Sequence, residues 1–198
     1  MHLALAGKPL PGRRLSSRDP WRRVTAFLGS DLAREPLFAS LLDALRDVQE
    51  RLARLYRLPA DLPSGLIHND VGPPNLLLDD DGSIVALLDF DDCAQTFLAY
   101  ELGPIAATFG KDDQRRTDLG RLTDLVAAYD SIRPLTPTER AWLPDLLAVG
   151  AAAVGIGVLT TWLRNGNAVV VDDSYSAREF LDLVRLRPTL QRTFDPTG

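Results

Sequence analysis

Residues 65–92 read GLIHNDVGPPNLLLDDDGSIVALLDFDD, and the expected fold follows from how this stretch is punctuated. Gly65-Leu66-Ile67 is a brief apolar lead-in. Asn75-Leu76-Leu77-Leu78 and Ser83-Ile84-Val85-Ala86-Leu87-Leu88 are β-prone runs separated by Asp79-Asp80-Asp81-Gly82. An Asp-Gly pair between two such runs supplies the turn chemistry of a tight hairpin. Folding the hairpin back sets the end of its second run beside the loop that precedes its first. Two polar groups thereby converge: His68-Asn69-Asp70 with Asn75, and Asp89-Phe90-Asp91-Asp92.

Asp70, Asn75 and Asp89 then offer two carboxylates and an amide oxygen. These are hard ligands of the kind Mg²⁺ takes, and Mg²⁺ usually completes its shell with water and substrate phosphates. The set therefore points to phosphoryl transfer, with Asn75 and Asp89 holding the metal while Asp70 orients an acceptor hydroxyl and takes its proton. Asp91, next to the ligand Asp89, either orients a metal-bound water or caps the segment after it. The Asp79 to Asp81 run reads as a solvated hairpin tip with no chemistry.

The pattern H-x-D-x4-N, a hairpin, then D-F-D resembles the catalytic core of the aminoglycoside phosphotransferase and small-molecule kinase family, itself similar to protein kinases with their H-R-D-x4-N and D-F-G elements. The resemblance implies Asp70 as catalytic base, Asn75 and Asp89 as magnesium ligands that bind ATP through the metal, and His68 as a structural brace of the catalytic loop. It further implies an α+β, mostly helical fold, the C-terminal lobe of a kinase-like phosphotransferase carrying a small β-hairpin. Tyr100-Glu101-Leu102 is similar to the family's Y-D-L after D-F-D, with Glu in place of Asp, so a longer side chain must be accommodated if that acid anchors a neighbouring loop. The implied reaction is transfer of the γ-phosphoryl group of ATP, with Mg²⁺, to a hydroxyl of a small molecule.

Composition sets the outer bounds. At 198 residues, one sizeable core spanning the chain is expected and a second independent domain is not. The net charge of −5, with no basic run longer than Arg-Arg, argues against a nucleic-acid partner. Cys93 is the single cysteine, which excludes an intrachain disulfide and favours a reducing compartment; it reads as a buried small hydrophobe. With no secretory signal after Met1, the cytoplasm is the expected location.

Residues 1–30 read as a loop-rich lead-in, Pro, Gly and Arg-rich from Gly7 to Arg14. A kinase should begin with a glycine-rich phosphate cover and a strand lysine. Lys8 and Lys111 are the only lysines and both sit in loop-like contexts, while Met1-His2-Leu3-Ala4 looks like the family's L-H-x-A helix end that leads into the C-terminal lobe. A missing N-lobe, or a partner chain supplying it, is the expectation.

The remainder reads as packing helices. Glu35 to Arg57 carries an apolar stripe at helical spacing, and Thr96 to Phe109 and Leu119 to Ile132 follow as helices. Thr136-Pro137-Thr138-Glu139 is a capping box with proline at the first helical position; in its setting it looks like homoserine-kinase-type members of the family, pointing to a small hydroxylated amino acid or related amino alcohol such as homoserine, with an aminoglycoside-like acceptor as the other candidate. Leu146 to Leu163 has no charge and reaches spanning length, yet its alanines and glycines suit a tightly packed core helix, so no membrane role is expected. Ser174 to Leu186 reads as a short helix before a polar tail that frays.

Overall fold

A computed structural model describes residues 19–57, 62–167, 170–171 and 174–195. The proposed Met1 to Ala4 helix end and the Gly7 to Arg14 connection lie outside the described residues.

The lead-in is helical where it is described. Asp19 caps helix α1 (Pro20–Leu28), its carboxylate accepting from Arg22 N at 3.0 Å, and Pro20 sits at the first helical position, where its missing N–H costs nothing. The loop expected through residue 30 therefore ends at this cap. The helix read from Glu35 also begins later. Two 3₁₀ turns, Asp31–Arg34 and Pro36–Phe38, precede α2 (Ala39–Arg57), since Pro36 serves as a turn opener rather than as part of the α-helical run. Leu41, Leu45, Val48, Leu52 and Leu55 form the buried stripe of α2, as their spacing requires.

The Gly65 to Ile67 lead-in is a strand, β1 (Ser64–Ile67). The hairpin forms from β2 (Leu76–Leu78) and β3 (Ile84–Leu87), antiparallel, with an irregularity between Leu77 and Leu78. At its tip, the Asp79 side chain accepts from Asp81 N and Ser83 N, and Gly82 takes the positive φ of 80° that the turn demands. The reading of Thr96 to Phe109 as one helix is corrected: Ala94–Phe97 is β4, paired antiparallel with β1 in the register Ile67↔Ala94 to Ser64↔Phe97. Thr96 and Phe97 are strand-prone and buried, and a cross-strand partner outweighs helix continuity here. A 3₁₀ turn, Leu98–Glu101, then leads into α3 (Leu102–Phe109).

Helix α4 (Leu119–Ile132) matches its expected span. The capping box is formed in full: Thr136 Oγ1 accepts from Glu139 N at 3.1 Å, and the Glu139 carboxylate accepts from Thr136 N at 2.9 Å. It starts α5 (Pro137–Arg164), which extends the expected apolar segment back through Pro144. This helix is long and apolar enough to cross a membrane by composition, and 61% of its most apolar window is buried inside the fold, against α1, α2, α3 and α6. The last helix, α6 (Tyr175–Phe194), overturns the frayed tail: Leu190 and Phe194 are buried, continuing the face of Phe180 and Leu183. Gly155 allows α5 to meet the start of α6, because a Cβ there would lie 2.9 Å from Ala177 N.

Candidate active site

Two strand pairs converge the polar loops. The Ile67↔Ala94 pairing sets His68 at the exit of β1 beside the segment that enters β4. The Leu76↔Leu87 pairing, extended by Leu88 N donating to Asn75 O at 2.8 Å, sets Asn75 opposite Leu88 and so next to Asp89. Each strand pair alone would place one loop, and together they bring the two loops to one end of the molecule.

Side chains close the arrangement. Asn75 Nδ2 donates to both the backbone oxygen and Oδ2 of Asp70, each at 2.9 Å. His68 is fully buried, and its Nε2 donates to Leu88 O at 2.8 Å, because a carbonyl only accepts. Its Nδ1 then accepts from Asp70 N at 3.3 Å. The imidazole thus links the loop carrying Asp70 to the residue before Asp89, with Phe90 packed edge-on 4.8 Å from its ring.

Glu101 performs the anchoring for which its length raised a question. Buried at the start of α3, its carboxylate accepts from His68 N at 2.7 Å and Asn69 N at 2.9 Å, so the longer side chain is accommodated and grips the backbone just before Asp70. Asn69 and Asp89 both lie in the left-handed region, at φ 67° and 56°. Such conformations cost on the order of 1–3 kcal/mol and persist where surrounding contacts over-determine them. Here Glu101 fixes the first, and Asp91 N donating to Asp89 Oδ1 at 3.3 Å braces the second.

With the Asn75 amide nitrogen committed to Asp70, its oxygen is left for another partner, and the Asp89 and Asp91 side chains are exposed. Among the described residues no three His, Cys, Asp or Glu side chains gather into a cage. One amide oxygen and one or two carboxylates fit a cation that draws the rest of its shell from water and phosphates, as Mg²⁺ does. Cys93, expected to be enclosed, is only half-buried where the loop enters β4.

Next to this arrangement lies a cavity of about 410 Å³, lined by Asn69, Asp70 and Asp92 from the loops, Pro20 and Arg23 from α1, and Gly150, Ala153 and Gly157 among others from α5. Arg23 and the α5 residues were not read as site residues. Small residues along a core helix look alike whether they pack a neighbour or floor a cavity, and Arg23 falls in a segment read as loop.

The mostly helical fold with its small antiparallel sheets is consistent with a phosphotransferase-type domain. The profile of the phosphotransferase enzyme family matches residues 1–135, and the chain belongs to this family. It is similar to the homoserine kinase of Rhodospirillum rubrum, 36% identical over 155 residues that cover 77% of this chain and 46% of that protein. It is also similar to the homoserine kinase of Gluconacetobacter diazotrophicus, 33% identical over 85% of this chain and 52% of that protein, and to that of Hyphomonas neptunium, 30% identical over 82% and 51%. The chain spans about half the length of the curated relatives it matches.

Proposed function

We propose that this chain takes part in transfer of the γ-phosphoryl group of ATP to the hydroxyl of a small amino acid or amino alcohol such as homoserine. The observation that carries the reading is the hydrogen-bonded Asp70–Asn75 pair at the edge of a cavity of ligand size. The names of the relatives supply the acceptor class.

In this reading the acceptor enters the cavity with its hydroxyl toward Asp70. The Asp70 carboxylate accepts the hydroxyl proton as the oxygen bonds to the γ-phosphorus and the bond to the β–γ bridging oxygen breaks, releasing ADP. Asn75 holds Asp70 in place through Nδ2; its own oxygen and the Asp89 carboxylate would hold Mg²⁺, with Asp91 beside them to accept from a bound water. The ion, when bound with ATP, neutralises charge that builds on the phosphate oxygens. Positioning and electrostatics provide most of the acceleration, with a base such as Asp70 contributing about 10²–10⁴-fold.

One observation favours a second reading, a non-catalytic module that keeps only the acceptor pocket. Lys111, the only lysine among the described residues, is buried against Glu179 at 3.2 Å and is not placed to serve a nucleotide. Phosphoryl transfer in this family's manner then needs a lysine-bearing cover from another segment or chain. Calorimetric titration separates the two. Magnesium-dependent ATP binding that is lost in Asp89→Ala, with the melting temperature unchanged, supports the phosphotransferase. Acceptor binding without any Mg-ATP binding supports the module, and equal Mg-ATP affinity in Asp89→Ala and the parent chain removes the metal assignment.

A further inference from the structure

Arg23 is a cation within a cavity whose other charged lining residues, among those described, are Asp70 and Asp92. No hydrogen bond or ion pair ties its guanidinium to a described residue. Its position is nevertheless specific: Nη2 lies 3.0 Å from where a Cβ on Gly157 would stand, so the guanidinium rests against the α5 backbone in space that only glycine leaves open.

The element carrying Arg23 is also held firmly. Asp19, the cap of α1, is fully buried and accepts from Tyr56 Oη at 2.7 Å and from Thr96 Oγ1, while Tyr56 and Tyr100 hydroxyls meet at 2.8 Å. Burial pushes the Asp19 carboxyl above its ordinary range, opposed by these hydrogen bonds. Through this network α1 is tied to α2, to β4 and to the turn that carries Glu101, the residue gripping the Asp70 loop. Arg23 and Asp70 thus share one rigid frame, as a binding site requires.

On its far side Arg23 borders a second cavity, of about 450 Å³, which shares Arg23, Ala153, Gly157 and Thr161 with the first. Arg22, Arg164 and Thr160 line it too, and the Thr160 hydroxyl is buried with no hydrogen-bond partner among the described residues. Moving from Asp70 past Arg23, the lining changes from acidic to basic. That polarity suits a zwitterion whose hydroxyl lies near Asp70 and whose anionic end lies at Arg23, and it disfavours a polycation.

We propose that Arg23, laid against Gly157, receives the carboxylate of the acceptor, so that the site selects hydroxy-α-amino acids over the matching amino alcohols. This rests on the acceptor reading of the cavity given above. The guanidinium fork matches a carboxylate in two parallel hydrogen bonds, a contact that lysine's point charge reproduces only in part.

The test is direct binding, by calorimetry or ligand-observed NMR, of L-homoserine and of 3-amino-1-propanol, which lacks the carboxylate. The parent chain binds L-homoserine about ten- to hundredfold more tightly, the range for a hydrogen bond to a charged group. Arg23→Ala loses that margin and leaves 3-amino-1-propanol binding unchanged. Arg23→Lys restores part of it and serves where truncation unsettles α1, and Gly157→Ala, which crowds the guanidinium, falls between. Homoserine affinity equal in the parent chain and Arg23→Ala overturns the assignment while leaving the acceptor pocket standing, as does an equal loss for both ligands. If the parent chain binds neither ligand, the acceptor reading itself falls and this assignment with it.

Discussion

The helical body and the hairpin end treat charge in opposite ways. In the body, Asp145 of α5 is fully buried, and its two oxygens meet Arg187 at 3.0 and 2.9 Å, while Arg51 reaches Oδ1 at 2.8 Å. Glu139 is buried as well, bracketed by Arg133 at 2.6 and 3.2 Å and by the capping box. At the hairpin end, Asp70, Asp89 and Asp91 are exposed, two backbones there are left-handed, and among the described residues the contacts of the Asp70 and Asp89 carboxylates run to amide and backbone donors rather than to a cation. A carboxylate surrounded by arginines has its electrostatics satisfied and stabilises a fold. One braced only by neutral donors still has a charge to offer a ligand.

Breaking the body's side of this contrast gives the largest effect. Asp145→Ala leaves Arg51 and Arg187 facing a buried gap, and removing one partner of such a group costs about 3–5 kcal/mol. Urea unfolding measures it. A loss below about 1 kcal/mol would mean that the arginines reach water or other acceptors, and that the matched charges do not distinguish the body.

The next largest effect comes from a body carboxylate that is matched incompletely. Glu179 of α6 pairs with Lys111, yet burial outweighs the lysine and pushes its pKa up to about 7. Its native form therefore holds a proton more tightly than the unfolded chain, whose carboxyl titrates near the ordinary value. Between about pH 4.5 and 7 the unfolded state binds fewer protons, so this group's contribution falls as pH rises, by on the order of 3 kcal/mol across the window. The stability of the parent chain relative to Glu179→Gln is expected to be greatest at and below about pH 4.5 and to shrink toward pH 8. A flat difference would show that Lys111 compensates for the burial of Glu179.

The two regions were unequally legible in the sequence. The hairpin and its flanking acids could be read because turn chemistry is local: Asp79 to Gly82 fixes a tight bend whatever surrounds it. The Thr136 to Glu139 capping box was legible for the same reason. Features that depend on distant partners were not. Thr96 and Phe97 join a strand because Ser64 to Ile67 lies alongside, and α6 runs on past Pro188 because the core accepts Leu190 and Phe194. Within the site, Asp70, Asn75 and Asp89 stood out by spacing. Arg23 and Gly157 are far apart in sequence and meet only through the packing of α1 on α5.

The smallest effect sharpens the contrast from the hairpin side. Leu78, Ile84 and Val85 are 58, 64 and 62% exposed, an apolar strand surface that in the body would be covered. Ile84→Thr keeps the β-branch, and so the strand preference, while removing apolar area that water already touches. Its cost in urea unfolding is therefore expected to stay within about 0.5 kcal/mol, the ordinary range for exposed positions, against about 2–5 kcal/mol for truncating a buried leucine. A hairpin that is open in solution gives the same small value at every protein concentration. A larger cost that grows with concentration, accompanied by a parent-chain dimer in sedimentation that Ile84→Thr dissolves, would show that this face is buried between copies. The hairpin would then belong with the body as a packed region, and its uncompensated carboxylates alone would set it apart.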